Sequence, residues 1–178
     1  GVALRRSARY MAKVELFENP VLGWLLRSVG SFPVRRGQPD RQAIRTALQV
    51  LSRGEVLIMF PEGTRSPNGR LMAGEPGAAL LALRAGTPVL PMAVIGTQRA
   101  MPKGTIFPKR LQVVVRIGPP LAVPKLEGRI EREDLDAWAR RFMAAIAALL
   151  PPDQQPAPAT HPLAGALSQP GPTQTPPD

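Results

Sequence analysis

Apolar residues along the first 150 positions recur with two different periods, which predict alternating strands and helices. Short apolar runs of strand length occupy residues 10–14, 32–34, 56–60, 89–95 and 111–117. Apolar residues at helical spacing predict helices over residues 20–29, 41–53, 75–85 and 135–149, the first two capped by Asn19 and Asp40. Strands that alternate with helices are typical of an α/β domain.

The middle of the chain gives the clearest topological prediction. Residues 56–60 and 89–95 are continuous apolar runs, which predict buried strands. The helix at residues 75–85 is apolar nearly all round, so it should be largely buried as well. A strand, a helix and a strand in this order predict a right-handed parallel crossover. Ligands in such sheets collect at the carboxyl ends of the strands.

The composition changes after residue 150. Residues 151–178 hold 9 of the 22 prolines and no Lys or Arg. Such a segment cannot bury enough apolar surface to offset the entropy of ordering it. We therefore predict a folded domain over residues 1–150 and a disordered, proline-rich tail over residues 151–178.

Charge and cysteine content narrow the chemistry. The net charge of +10 favours an anionic partner, such as a nucleic acid, an anionic membrane or a phosphorylated small molecule. Aromatic residues make up only 4% of the chain, which is few for stacking on bases, so nucleic acid is not the expected partner. The chain has no Cys and one His, which excludes thiolate or His-rich metal sites and a Cys nucleophile. No metal site is predicted.

The loop that follows residues 56–60 has the side chains that an oxyanion site needs. Gly63 allows close approach of the backbone to a ligand, and Thr64 offers a hydroxyl. Arg65 offers a planar fork that can hold a phosphate through two hydrogen bonds. Glu62 could steer Arg65 or bind a ligand hydroxyl. The alternative is an ordinary polar turn with a surface ion pair.

Four segments together resemble the lysophosphatidic acid acyltransferase (1-acyl-sn-glycerol-3-phosphate acyltransferase) family. Residues 60–66, Phe-Pro-Glu-Gly-Thr-Arg-Ser, resemble its third sequence block. Residues 30–36, Gly-Ser-Phe-Pro-Val-Arg-Arg, resemble its second block, and residues 89–93, Val-Leu-Pro-Met-Ala, its fourth. Residues 10–16 are similar to the stretch that follows the first block. The segments occur in the order that the family requires.

The resemblance implies both a fold and a reaction. The fold is a glycerol-phosphate acyltransferase-like α/β domain, in which helices flank a mixed, largely parallel central sheet. The reaction moves an acyl chain from acyl-CoA or acyl carrier protein to the free hydroxyl of 1-acylglycerol 3-phosphate, giving phosphatidic acid for phospholipid biosynthesis. The donor thioester is a substrate, and no cofactor is implied.

The resemblance also implies which residues bind the acceptor. Its third block places Arg65 on the acceptor phosphate, and Arg35 and Lys13 are further phosphate candidates. For Arg35 and Lys13 the alternative is a solvated charge, or an apolar stem lying along the surface. The expected substrate-binding residues are Glu62, Gly63, Thr64, Arg65, Arg35 and Lys13.

The family's catalytic block, His-x-x-x-x-Asp, has no match in the chain. In that block the His is the general base and the Asp orients it. The single His161 lies in the predicted tail, and the fifth residue after it is Ala166. In the family the block precedes the stretch matched by residues 10–16. We therefore assign no catalytic residue. We expect the N-terminal truncation to have removed this block, so that the chain begins just after it. The chain should then be inactive alone and derive from an active parent.

A lysophospholipid acceptor lies in a bilayer, so the expected partners are this acceptor, the acyl thioester donor and a membrane surface. No apolar run is long enough to span a membrane. Trp24 with its neighbouring leucines, and the basic loop over residues 97–110, are candidate lipid contacts. The alternative places the helix around Trp24 in the core. The expected location is the cytoplasmic face of the cell membrane, peripheral or through an anchor preceding Gly1.

Three other functions stay open at this point. The acceptor could be another lipid or precursor, such as glycerol 3-phosphate, an acylated ornithine or a hopanoid-type lipid. The chain could be a catalytically inactive lipid-binding scaffold. It could also be a basic nucleic-acid-binding module, although no basic helix motif of that class is present.

Overall fold

The computed structural model describes residues 6–35, 40–97 and 112–156. The strands in these ranges are β1 (Ala8–Lys13), β2 (Ser31–Val34), β3 (Val56–Ile58), β4 (Met92–Ile95) and β5 (Val114–Ile117). A short 3-10 helix (Val14–Phe17) follows β1, and the α-helices are α1 (Pro20–Ser28), α2 (Arg41–Ser52), α3 (Pro76–Ala85) and α4 (Arg132–Ala147). The predicted alternation of strands and helices is confirmed, with element ends that differ by a few residues.

Polar residues fix where the first two α-helices begin. The Asn19 side chain accepts hydrogen bonds from the backbone N–H groups of Val21 and Leu22, each at 3.0 Å. The Asp40 carboxylate accepts one from the N–H of Ala43 at 2.9 Å. These bonds satisfy donors that the first helical turn leaves without a partner. The helix starts read from the sequence are therefore confirmed.

Strand β1 is the centre of a three-stranded parallel sheet with the order β2-β1-β3. Tyr10 pairs in register with Ser31 of β2 and with Ile58 of β3. An ion pair of 2.6 Å between Arg9 and Glu55 also ties β1 to the residue before β3. Because all three strands run the same way, their carboxyl ends lie at one edge of the sheet.

The predicted parallel crossover from β3 to β4 is wrong. Among the described strands β3 pairs with β1, whereas β4 pairs antiparallel with β5 in a second sheet. The predicted full burial of these strands is also wrong, because Ala93 is buried between the exposed Met92 and Val94. Such alternation means that one face of β4 is covered, as antiparallel pairs permit. A continuous apolar run in the sequence is compatible with a strand covered on one face as well as with a strand buried on both faces.

The core is built around α3, as its apolar sequence predicted. Ala79 and Leu83 are fully buried, and Phe142 of α4 packs into the same cluster. Helix α2 packs against α3, and α3 packs against α4. The Trp138 and Phe142 rings are 5.7 Å apart between centroids at a tilted angle, which is a favourable aromatic geometry. The fold is a mixed α/β arrangement with a parallel sheet flanked by helices.

The first residues of the predicted tail contact the folded part. The Leu71 N–H donates to the Gln154 carbonyl at 2.8 Å, and the Arg70 guanidinium reaches the Gln155 carbonyl at 3.5 Å. Residues 151–156 therefore lie against the loop between β3 and α3. Residues 157–178 lie outside the described residues, and their disorder stays a prediction.

Truncation of Leu83 tests the position of the core. Leu83→Ala removes a fully buried side chain from the cluster that joins α3 and α4, and should lower the free energy of unfolding by about 2–5 kcal/mol. Leu90→Ala, at a position 44% exposed, is the matched control and should cost much less. Urea denaturation measures both, and equal losses would contradict this core assignment.

Candidate functional site

Three segments meet at the carboxyl edge of the parallel sheet. Strand β1 ends at Lys13, which lies opposite Val34 in the register, and Arg35 directly follows β2. The loop over residues 59–75 leaves this edge after β3. In the central strand β1, Lys13 lies opposite the last residue of β2, while β3 ends opposite Tyr10, three residues earlier. The topology thus places all the predicted acceptor-binding residues on segments at one edge, where α/β sheets bind ligands.

Glu62 holds the loop after β3 in shape. Its Oε2 accepts a hydrogen bond from the Met72 N–H at 3.0 Å, which joins residues ten positions apart. The base of the loop is closed by the Glu75 N–H, which donates to the Pro61 carbonyl at 2.7 Å. The structure therefore shows a positioning role for the Glu62 carboxylate, in addition to the roles predicted from the sequence.

Gly63 is required by the backbone of this loop. Its φ is +67°, in the left-handed region that side chains disfavour, and its N–H donates to the Phe60 carbonyl at 3.1 Å. A Cβ at this position would lie 3.1 Å from Cγ of Glu75. The turn that presents the next two residues therefore depends on glycine for a conformational reason. Close approach to a ligand, the reason given from the sequence, stays a prediction.

Thr64 and Arg65 are exposed at the tip of this turn. Within the described ranges the Arg65 guanidinium forms no ion pair and no hydrogen bond. For the alternative of an ordinary polar turn with a surface ion pair, no such pair forms at Arg65 in the described ranges, and the Glu62 carboxylate accepts a hydrogen bond from the Met72 N–H. The five N–H donors of the guanidinium are available to an anion.

The other two predicted cations are differently placed. Lys13 forms an ion pair of 3.0 Å with Glu15, and both side chains are about half exposed. Exposed pairs of this kind contribute little, so the Lys13 charge remains available to compete for a stronger anion. The Arg35 side chain is exposed, while its backbone N–H donates to Oδ2 of Asp40 at 2.9 Å.

Asp40 was predicted only as a helix cap, yet it also fixes the backbone at Arg35. The hydrogen bond from the Ala43 N–H, followed by that from the Arg35 N–H, holds the pKa of the Asp40 carboxyl below its usual value. The Arg35 charge acts in the same direction. A cavity of about 130 Å³ lies beside this pair and is lined in part by Phe32. The sequence signal for Asp40 was its capping position, which did not disclose the contact with Arg35.

Several predicted features lie outside the described residues. These are His161, most of the basic loop over residues 97–110, and Arg36 in the second sequence block. Within residues 6–35, 40–97 and 112–156, no group of three or more His, Cys, Asp or Glu side chains is placed to hold a metal ion. No helix in the same ranges is long and apolar enough to cross a membrane.

Helix α1 is exposed on its outer side. Trp24 is 69% exposed, and Val21 and Leu25 are exposed beside it. The alternative prediction that this helix simply belongs to the core is therefore wrong for these side chains. These side chains are exposed because α1 packs on the 3-10 helix and on β2, which is an edge strand of the three-stranded sheet.

The chain is similar in sequence and structure to known acyltransferases. The family model described as "Acyltransferase" matches residues 1–95. The crystal structure of the 1-acyl-sn-glycerophosphate acyltransferase PlsC from Thermotoga maritima superposes with a TM-score of 0.61 at 28% identity. That superposition covers 80% of this chain and 56% of the Thermotoga chain.

Curated relatives include enzymes from plants and bacteria. A chloroplastic 1-acyl-sn-glycerol-3-phosphate acyltransferase, BAT2 from Brassica napus, is 34% identical over 58% of this chain and 31% of its own length. The 1-acyl-sn-glycerol-3-phosphate acyltransferase of Pseudomonas aeruginosa is 34% identical over 75% of this chain and 54% of its own length. The chain thus spans between about a third and about half of these two relatives.

The contribution of Asp40 should depend on pH. Since its pKa is lowered in the folded state, the carboxylate stabilises the fold at neutral pH, and this contribution is lost as the pH falls through the folded-state pKa. Asp40→Ala should cost about 1 kcal/mol at neutral pH, and its difference from the wild type should shrink below about pH 4. Urea denaturation across this pH range measures the effect. A difference that stays constant on acidification would contradict it, and Asp40→Asn, which keeps a cap without the charge, is the control.

Glu62→Ala should loosen the loop without removing a core contact. The Met72 N–H loses an acceptor that carries a charge, so the free energy of unfolding should fall by about 1–3 kcal/mol. Hydrogen exchange at the Met72 amide should become faster than in the wild type. Glu62→Gln keeps an oxygen acceptor and should restore part of the protection. Unchanged exchange in Glu62→Ala would show that this bond does not hold the loop.

Proposed function

Because the chain belongs to the acyltransferase family, we propose that the protein takes part in acyl transfer to a glycerol-phosphate lipid. The acceptor is the free hydroxyl of 1-acylglycerol 3-phosphate, and the product is phosphatidic acid for phospholipid biosynthesis. The donor is an acyl thioester of coenzyme A or of acyl carrier protein. The names of the Brassica and Pseudomonas relatives support this choice of acceptor.

One observation carries the proposal for this chain: Arg65 is exposed and unpaired among the described residues, at the carboxyl edge of the parallel sheet. A guanidinium binds a phosphate through two parallel N–H donors. At an exposed position the guanidinium stays hydrated until the ligand binds. Gly63 sets the turn and Glu62 closes the loop behind it. We assign the acceptor phosphate to Arg65.

In our proposal, Arg35 and Lys13 add positive charge at this edge of the sheet. Lys13 ends β1 and Arg35 follows the adjacent, paired β2, so both charges lie near the path of an anion that approaches this edge of the sheet. A phosphate carries up to two negative charges, and several converging cations compensate them better than one does. Thr64, at the same loop tip as Arg65, offers a hydroxyl for the acceptor.

The proposed reaction needs a proton acceptor that this sequence does not supply. The acceptor hydroxyl oxygen bonds to the thioester carbonyl carbon, the carbon–sulfur bond breaks, and the thiolate leaves and takes up a proton. In the family a His-x-x-x-x-Asp block removes the hydroxyl proton, and the sequence contains no such block. We therefore assign acceptor binding to this chain, and expect no acyl transfer by the purified chain alone.

The acceptor and the net charge of +10 also support a place for this activity at a membrane surface. Lysophosphatidic acid partitions into bilayers, and anionic lipids attract cationic proteins. We propose the cytoplasmic face of the cell membrane as that surface, because acyl-CoA and acyl carrier protein are cytoplasmic donors.

The test of this proposal is acceptor binding by variants of two arginines. Arg65→Gln should weaken the affinity for a short-chain, water-soluble lysophosphatidic acid by roughly tenfold to a hundredfold, because two charge-assisted hydrogen bonds are lost. Arg53→Gln makes the same change of charge at an exposed position next to the amino end of β3 and is the matched control. Isothermal titration calorimetry measures both affinities.

Two results would contradict the proposal. Equal losses in the two variants would mean that net charge, and not the Arg65 position, determines binding. Tight, salt-dependent binding of duplex DNA together with no affinity for lysophosphatidic acid would favour the nucleic-acid-binding alternative. Monoacylglycerol, which lacks the phosphate, serves as the ligand control and should bind both variants equally.

A further inference from the structure

Helix α1 is largely apolar, with Arg27 and Ser28 as its polar side chains, yet it is poorly covered. Arg27 is the only charged residue in Pro20–Ser28, and Gly23 is the only one of these nine residues that is buried. The apolar face of an α-helix normally lies in a protein core or in contact with lipid. With nine residues, α1 is too short to cross a bilayer. The exposed apolar side of α1 is therefore a candidate contact surface for a partner.

The exposed side chains form a continuous stripe. Val21, Trp24, Leu25 and Val29 follow one another at helical spacing, and each is half or more exposed. We call these four residues the α1 stripe. Helix α1 packs mainly on the 3-10 helix and β2, whereas α3 packs on both α2 and α4. Helix α1 therefore rests mainly on elements other than the helices of the core.

The charges around the stripe fit an anionic partner. The sequence has no Asp or Glu between Asn19 and Pro39, while Arg27, Arg35 and Arg36 lie in the same segment. Cations that flank an apolar face are typical of helices that lie in the interface of an anionic membrane. Trp24 fits the same environment, because an indole combines an apolar ring with an N–H donor and is enriched at the boundary between lipid and water.

The stripe also begins beside the candidate site. Helix α1 follows the carboxyl end of β1 through the 3-10 helix, so its first turn lies near the edge where Lys13 is placed. Leu16 of the 3-10 helix, which lies between β1 and α1 in the chain, is also 42% exposed. A lipid surface under the stripe would therefore hold its headgroups close to the proposed phosphate-binding cations.

We propose that the α1 stripe docks onto an anionic lipid surface, with Trp24 and Leu25 inserted at the headgroup boundary. This inference rests on the proposed function, since it explains how an acceptor reaches Arg65 and Lys13 from a bilayer. It adds a named docking surface on α1, which neither the family membership nor the phosphate site requires. A second copy of the chain on the stripe is the competing occupant.

The first experiment uses the fluorescence of Trp24. Trp138→Phe keeps an aromatic ring against Phe142 and leaves Trp24 as the only tryptophan of the full chain. Vesicles of equimolar phosphatidylcholine and phosphatidylglycerol should shift its emission to the blue, and vesicles of phosphatidylcholine alone should shift it less. An unchanged emission with the anionic vesicles would overturn the proposal.

The second experiment measures cosedimentation with the same anionic vesicles. The double variant Trp24→Gln, Leu25→Gln should bind them at least about tenfold more weakly than the wild type, because two inserted side chains are lost. The matched control is Val115→Thr, Ile117→Thr, which removes two exposed apolar side chains from β5 and should bind as the wild type does. Equal losses in the two double variants would overturn the assignment to α1. Circular dichroism confirms that both variants fold.

Two further measurements separate this inference from its competitors. A blue shift of Trp24 that depends on protein concentration in the absence of vesicles, with a dimer in analytical ultracentrifugation, would overturn it in favour of a second copy. The stripe variant should keep the wild-type affinity for the water-soluble lysophosphatidic acid. Absence of vesicle docking by the wild type, with Arg65-dependent acceptor binding intact, would refute the docking surface alone. Docking through the stripe without Arg65-dependent acceptor binding would refute the proposed acceptor site alone.

Discussion

The parallel pairing of β1 with strands on both sides is the interaction on which the rest of the structure depends. Hydrogen bonds from β1 to β2 and to β3 fix the register of three short strands. The Arg9–Glu55 ion pair supports the β3 side of this arrangement. As a result, Lys13, Arg35 and the loop after β3 emerge at one edge. A slip of one residue in either ladder would turn the side chains of that strand to the opposite face.

The loop after β3 shows how local geometry supports chemistry at that edge. Gly63 adopts a positive φ, and Glu62 is committed to the Met72 N–H. These two constraints hold the loop from within, so Arg65 is left at its tip without a described partner. A guanidinium that forms no internal hydrogen bond can place its full hydrogen-bonding capacity on a ligand, as proposed for Arg65.

Helices α1 and α3 have similar apolar sequences and opposite environments. Helix α3 lies between α2 and α4, so Ala79 and Leu83 are fully buried. Helix α1 rests on one side of a three-stranded sheet, and Trp24 remains exposed. Apolar composition therefore does not by itself decide whether a helix is buried, because the neighbouring elements determine how much of its surface is covered.

By itself, the sequence determined the order of strands and helices, the caps at Asn19 and Asp40, the buried character of α3, and the motif around Arg65. These depend on local periodicity, on hydrogen bonds within one turn, or on a specific short pattern. The pairing of β4 with β5, the bond from Met72 to Glu62, and the exposure of α1 were decided by tertiary structure alone. Each of them joins or separates segments distant in sequence, and apolar periodicity carries no information about which distant segment becomes the neighbour.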